Sequence, residues 1–179
     1  GDDETAASRR PRGFYYVTTG GVGDGSQLEK AVRYHALDGE TDRLVTDDFE
    51  PQEWALVHTD GETLVVGRLD GRTQSDVFVA DGPPEETTLT PAVEGRDATF
   101  FPSVSDGQLY LSTDLDAPFR RVLTATVDEV LEADSTSEVG ADRETTEADS
   151  TNETDALDVF AELVPETDAV VRDVVPAGD

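Results

Sequence analysis

Short apolar runs separated by small polar turns recur along the chain. The clearest stretch, residues 98–127, reads ATFFPSVS, Asp106-Gly107, QLYLSTD, LDAP and RRVLTATV, which predicts three successive strands. Asp-Gly between apolar runs signals a tight hairpin, because both turn residues take positive φ at little cost. The connection 114–118 carries Asp and Pro, which favour turns and resist strand pairing. Upstream, GFYYVTT (13–19) predicts a strand, 20–27 a loop, AVRYHAL (31–37) a second strand and 42–46 a third. From Trp54 onward, WALVHT, TLVVGRL, DVFVA and TTLTPAV predict four more, closed by Glu94-Gly95-Arg96.

The Asp-Gly turns at Asp38, Asp60, Asp81 and Asp106 recur in register with these runs. Four short strands in about 40–50 residues is the period of a β-propeller blade. The middle strands (14–17, 64–66, 77–80 and 109–111) are almost continuously apolar, whereas a sheet wet on one face would alternate. Both faces of these strands are therefore expected to be buried between stacked neighbours.

Composition changes at 132–156 to Glu, Asp, Ser and Thr, which predicts a disordered acidic loop inserted into a blade. Residues 158–164 fit both strand and helical spacing; position favours the missing fourth strand, ended by Pro165. AVVRDVV (169–175) would open a further blade. The expected fold is all-β: antiparallel four-stranded β-propeller blades, about three of them, in an incomplete propeller with a disordered acidic loop. Its divisions are a mobile lead-in (1–12), an incomplete blade (13–49), a full blade (50–95), a full blade containing the insertion (96–165), and the start of another (166–179). Bare sheet edges then call for further chain or a partner.

The 179 residues carry a formal charge of −28, with 41 acidic and 13 basic side chains. That balance opposes nucleic-acid and anionic-lipid partners. In molar salt, where the Debye length is about 3 Å, such a surface is screened and stays hydrated, so a halophilic protein is expected. No run reaches the roughly 20 apolar residues that span a bilayer, and GDDETAAS contains no signal-peptide core. A cytoplasmic location is expected. Neither Cys nor Met occurs, so thiolate chemistry is excluded, and the chain is expected to be a processed or excised piece.

Candidate chemistry is sparse. His35 lies mid-strand and His58 ends a strand beside Asp60, but nothing in the sequence sets either between a nucleophile and a carboxylate. Two histidines without cysteine, and without H-E-x-x-H, argue against zinc. Asp114 and Asp116 alternate like calcium ligands but lack the glycine and distal glutamate of an EF-hand loop. GGVGDG (20–25) joins two strands and has no Lys-Ser or Lys-Thr, unlike a phosphate loop. Asn152-Glu153-Thr154 is a glycosylation sequon by form alone. Trp54, Phe14, Tyr15, Tyr16, Phe100, Phe101 and Tyr110 are expected to pack between blades. No catalytic, cofactor-binding or metal residue is assigned, and no cofactor is expected.

Five phrases in order, GFYYV (13–17), RYHALDG (33–39), DGETLVV (60–66), STDLDAPFRRV (112–122) and ELVPETDAVVRDV (162–174), resemble the middle propeller blades of the prolyl oligopeptidase family of serine peptidases. The acidic insertion and Phe119-Arg120 depart from that pattern. The resemblance implies a seven-bladed propeller capping an α/β-hydrolase domain that cuts short peptides after proline. The catalytic residues would lie in that domain; no serine here sits in G-x-S-x-G, so none is carried over. The expected function is a propeller section gating short proline-containing peptides, with the hydrolase domain or the remaining blades as partners. The alternative is a non-enzymatic propeller that binds or scaffolds a protein partner.

Overall fold

The computed structural model describes residues 13–22, 27–37, 39, 42–71, 73–84, 87–138 and 156–177. Among them, eleven strands form three antiparallel sheets. The first contains β1 (Gly13–Val22), β2 (Gln27–Ala36) and β3 (Asp42–Thr46) in that order. The second runs β4 (Glu53–Thr59), β5 (Thr63–Asp70), β6 (Gln74–Asp81) and β7 (Thr90–Val93). The third runs β8 (Phe100–Ser105), β9 (Gln108–Thr113), β10 (Arg121–Thr126) and β11 (Ala161–Val164). Every strand pairs with its neighbour in sequence, which is the up-and-down meander of a propeller blade.

Local chemistry sets the hairpins. Ser105 pairs with Gln108, leaving Asp106 and Gly107 as a two-residue turn with φ of 50° and 69°. Positive φ at both positions matches the right-handed twist of the flanking strands. The β4–β5 turn is longer. There the Asp60 carboxylate accepts the N–H groups of Glu62 and Thr63 at 3.1 and 2.9 Å.

Strand periodicity then builds two cores. On β5 and β6, Val65, Val77 and Val79 point toward the third sheet and join Phe100, Leu109, Leu111 and Leu123. Leu64, Val66 and Ala80 point the opposite way and join Val32, Tyr15, Ala55 and Val57. The second sheet is thus covered on both faces, as its apolar runs predict. Each such aliphatic side chain contributes about 1.5–3 kcal/mol on burial.

The outer sheets differ. β1 and β2 bury Val32, Tyr34 and Ala36 on one face only, and Phe14 remains 49% exposed. The expected two-faced burial of 14–17 is corrected here, because among the described residues no sheet covers the far side. Packing of Trp54 between blades is corrected too: it is 69% exposed at the start of β4. The expected loop 20–27 gives way to longer strands, β1 and β2 staying paired out to Val22 and Gln27.

The acidic segment also begins differently. Instead of a loop from 132, an α-helix, α1, occupies Val127–Glu138. Thr126 Oγ1 accepts the Glu129 N–H at 3.2 Å, while the Glu129 carboxylate accepts the Thr126 N–H at 2.8 Å. This reciprocal capping box starts the helix, and Val127, Val130 and Ala133 are buried beneath it. The rest of the expected loop, up to residue 155, lies outside the described residues, as does the lead-in 1–12. A 3₁₀ turn at Ala156–Val159 returns the chain to β11, the fourth strand of the third sheet. Residues 165–177 do not form the expected strand, since no neighbour among the described residues pairs with them.

Candidate functional site

Because strands reverse at each turn, the turns sort onto two rims. The β2–β3, β4–β5, β6–β7 and β8–β9 connections share one rim with the start of α1. The 71–73 and 114–120 turns share the other with the inter-sheet links 47–52 and 94–99. Polar bridges lock neighbouring sheets at both. On the first rim, Asp60 Oδ2 accepts the Gly107 N–H of the next sheet at 3.0 Å, and Arg43 donates to the Pro84 carbonyl at 2.7 Å. On the second, the Ser75 N–H donates to the Ala98 carbonyl at 3.1 Å, and Ser75 Oγ accepts the Phe100 N–H at 2.5 Å.

Burial alone would raise the Asp60 carboxyl, but the backbone N–H groups of Gly107, Thr63 and Glu62 together hold it below the ordinary carboxylate value. A depressed folded pKa contributes stability that is fully present above about pH 5 and disappears as pH falls through the folded value. Asp60→Ala should cost about 1–2 kcal/mol at neutral pH and flatten the acid limb of the stability curve. Thermal melts from pH 7 to pH 3 in molar salt check this. An unchanged acid limb would refute it.

Between the first and second sheets, at the Asp-Gly rim, lies a cavity of about 300 Å³ lined by Tyr15, Tyr34, Glu62, Asp81 and Pro83. Gly13 borders it and packs directly on the Tyr34 ring and the His35 carbonyl, leaving no room for a Cβ. A second hollow of about 480 Å³ near the opposite rim is lined by Lys30, Arg33, Glu29 and Asp47. Aromatic rings beside carboxylates in the first, and cations near carboxylates in the second, present no nucleophile with a base among the described residues. Among the described residues no group of three or more metal-ligating side chains converges.

The residues singled out from the sequence fall in separate places. His35 lies against Phe14 on the outer face of the first sheet, the ring centroids 5.4 Å apart and the planes tilted by 43°. His58 lies near the end of β4, where burial lowers its pKa against the opposing pull of Asp173. Asp114 accepts the Thr99 N–H at 2.6 Å and so ties a turn to an inter-sheet link, while Asp116 stands in the left-handed region at φ 53°. Gly20 and Gly21 belong to β1, and residues 23–26 of the glycine-rich stretch lie outside the described residues, as does Asn152. Phe100 is fully buried, whereas Phe101 carries the Arg120 guanidinium 4.4 Å above its ring. Tyr16 donates to Asp42 at 3.0 Å; burial and that hydrogen bond raise its pKa. Tyr110 is half-buried on β9.

The bridging roles of three residues escaped sequence reading. Arg68, Ser75 and Asp60 each join elements distant in the chain, and only the Thr126-x-x-Glu129 cap had a local signature.

β4 and β8 are the first strands of their sheets and approach one another, so they mark the inner edge of the stack. There Trp54 is exposed on β4. Comparison with known proteins agrees with this architecture. The family model described as the prolyl oligopeptidase N-terminal beta-propeller domain matches residues 8–173. A prolyl endopeptidase structure, from work on inter-domain dynamics in catalysis and specificity, superposes with a TM-score of 0.59 at 22% identity, covering 87% of this chain and 20% of its own. Prolyl oligopeptidase B from Galerina marginata, bound to a 25mer macrocyclization substrate, superposes at 0.56 with 18% identity and the same coverage. The chain therefore spans about a fifth of these relatives. No curated protein matches it.

Proposed function

The chain belongs to the family of prolyl oligopeptidase N-terminal β-propeller domains, and from that premise we propose that it is a section of a peptidase propeller controlling access to a hydrolase domain carried outside these residues. The family match over 8–173 carries this reading. Its partners are that hydrolase domain, the remaining blades and short proline-containing peptides, and its setting is a salt-rich cytoplasm. Nucleic acid and membrane have no part in it. A charge of −28 supports the first exclusion. No helix among the described residues is long and apolar enough to cross a bilayer.

The mechanism is steric. Two apolar cores fill the middle of the spaces between neighbouring sheets and leave a hollow toward the Asp-Gly rim of the first pair, which disfavours passage of a substrate between blades. Passage is left to the axis, past the inner strands, where an extended peptide fits and a folded protein does not. The wall does not perform the chemistry. It limits what reaches the chemistry, and its rigidity comes from the bridges on both rims.

The test joins this chain to the catalytic domain of its parent enzyme and measures cleavage of short and long proline peptides. The expected result is retained turnover of short peptides with at least tenfold loss for longer chains. Equal relative rates with and without the propeller section would overturn gating.

A further inference from the structure

At the Asp-Gly rim, the seam between the second and third sheets is covered by an element that belongs to neither. α1 leaves the end of β10, and its Val127 and Val130 are buried together with Val77, Ala92 and Val93 of the second sheet and Leu123 and Ala125 of the third. The helix touches β6, β7 and β10, and the 3₁₀ turn at Ala156–Val159 touches both α1 and β7. Val127 N–H donates to the Gly107 carbonyl at 2.9 Å, and the Gly107 N–H in turn donates to Asp60 on the second sheet. One helix therefore bridges two sheets.

Its own stability is poor. Val127–Glu138 contains five acidic residues and no basic one. Asp128 and Glu129 in the first turn suit the helix dipole, but no cation balances the last turn. Asp128 and Glu132 stand four residues apart and Glu129 and Glu132 three, spacings at which like charges destabilise a helix. A helix of 12 residues is marginal alone in water, so docking on the two sheets decides whether it forms.

Salt sets that balance. Side chains one helical turn apart are separated by about 5–6 Å. The Debye length is about 3 Å at 1 M salt and about 10 Å at 0.1 M, so repulsion along α1 switches on between those concentrations. Most of the buried apolar side chains lie on strands, whereas α1 contributes only Val127, Val130 and Ala133. The sheets therefore outlast the helix as salt falls.

We infer that α1 is a salt-controlled latch on the seam between the second and third sheets. In molar salt it docks and locks the two together. As salt falls it undocks while the sheets stay folded, uncovering Ala92 and Val93. This inference rests on the fold and its charge and is independent of peptide gating.

Buried thiols test it, because the chain has no cysteine of its own. Val130 on α1 and Val65 on β5 are both 0% exposed. Labelling of Val130→Cys and Val65→Cys by N-ethylmaleimide, an uncharged reagent, is followed from 3 M down to 0.1 M KCl. Val130→Cys should react at least tenfold faster at the low end than in 3 M, with less than a twofold change at Val65→Cys. Adding Glu132→Lys places a lysine four residues after Asp128, a favourable spacing. It should lower the salt midpoint of Val130→Cys labelling at least twofold. Hydrogen exchange of the wild type covers the case in which a cysteine variant misfolds: amides of α1 should lose protection before those of β5. Equal acceleration at both thiols, α1 protection that does not change with salt, or a midpoint unmoved by Glu132→Lys would each overturn the proposal.

Discussion

Transfer from 3 M to 20 mM KCl is expected to unfold this chain at 25 °C, with loss of its sheet signal in circular dichroism. The argument weighs two opposing electrostatic effects. The chain carries 41 acidic and 13 basic residues, so the mean interaction among its surface charges is repulsive. At molar salt the Debye length is about 3 Å and neighbouring carboxylates barely sense each other, whereas at tens of millimolar it exceeds about 20 Å and every carboxylate interacts with most of the domain. Low salt also strengthens the few ion pairs, but exposed pairs are worth only about 0–1 kcal/mol each. Repulsion wins. Loss of about 5 kcal/mol would remove the whole stability of a marginal domain. Denaturant midpoints across the salt series measure this. A midpoint independent of salt would contradict the halophilic reading and leave the fold untouched.

Sheets were legible because their signals are local. Asp-Gly turns between apolar runs mark Asp60, Asp81 and Asp106, and the continuous apolar stretch 64–66 reports burial on two faces. The same run at 14–17 misled, because an identical pattern arises whether the covering sheet lies within the described residues or not. Trp54 misled for a related reason. An aromatic residue at the start of an inner strand looks like core in one dimension, yet at the strand's end it stays exposed and joins neither cluster. The helix at Val127–Glu138 was hidden by its own acidity. Composition from 132 onward suggested disorder, while Thr126, Glu129 and the apolar positions Val127, Val130 and Ala133 supplied a cap and a buried stripe.

The candidate site was harder to read, for a physical reason. Bridges such as Asp60 to Gly107 and Ser75 to Phe100 join residues 47 and 25 positions apart. Such pairs have no motif, since they depend on how two sheets cross. The histidines could be set on their strands from the sequence, but not their surroundings: His35 faces Phe14 across β1 and β2, and His58 pairs with Val65 on the second sheet. What remained readable was the family pattern, because its phrases sit on hairpins whose turns dictate their own residues.

Arg68→Ala is expected to destabilise the protein by about 2–3 kcal/mol, the largest effect of any single polar substitution on the stack. Arg68 lies on β5, and its side chain is only 16% exposed. One end of its guanidinium pairs with Asp48 in the link from the first sheet at 2.8 Å. The other reaches Asp76 on β6 and Glu94 in the link to the third sheet, both at 3.3 Å. The guanidinium also lies 4.4 Å above the Phe78 ring. One cation thus ties the middle sheet to the connections on either side. Full burial of a pair would set the cost of breaking it at about 3–5 kcal/mol, but Asp48 and Glu94 are largely open to water and lower that figure. Removing Arg68 also leaves three carboxylates near one another in a chain already rich in negative charge. Arg68→Lys keeps the charge but cannot span three partners with a planar fork, so it should recover less than half of the loss. Chemical denaturation in 3 M KCl gives both values. If alanine and lysine variants were equally stable, charge and fork geometry would be irrelevant at this position; if both matched the wild type, Arg68 would not clamp the sheets at all.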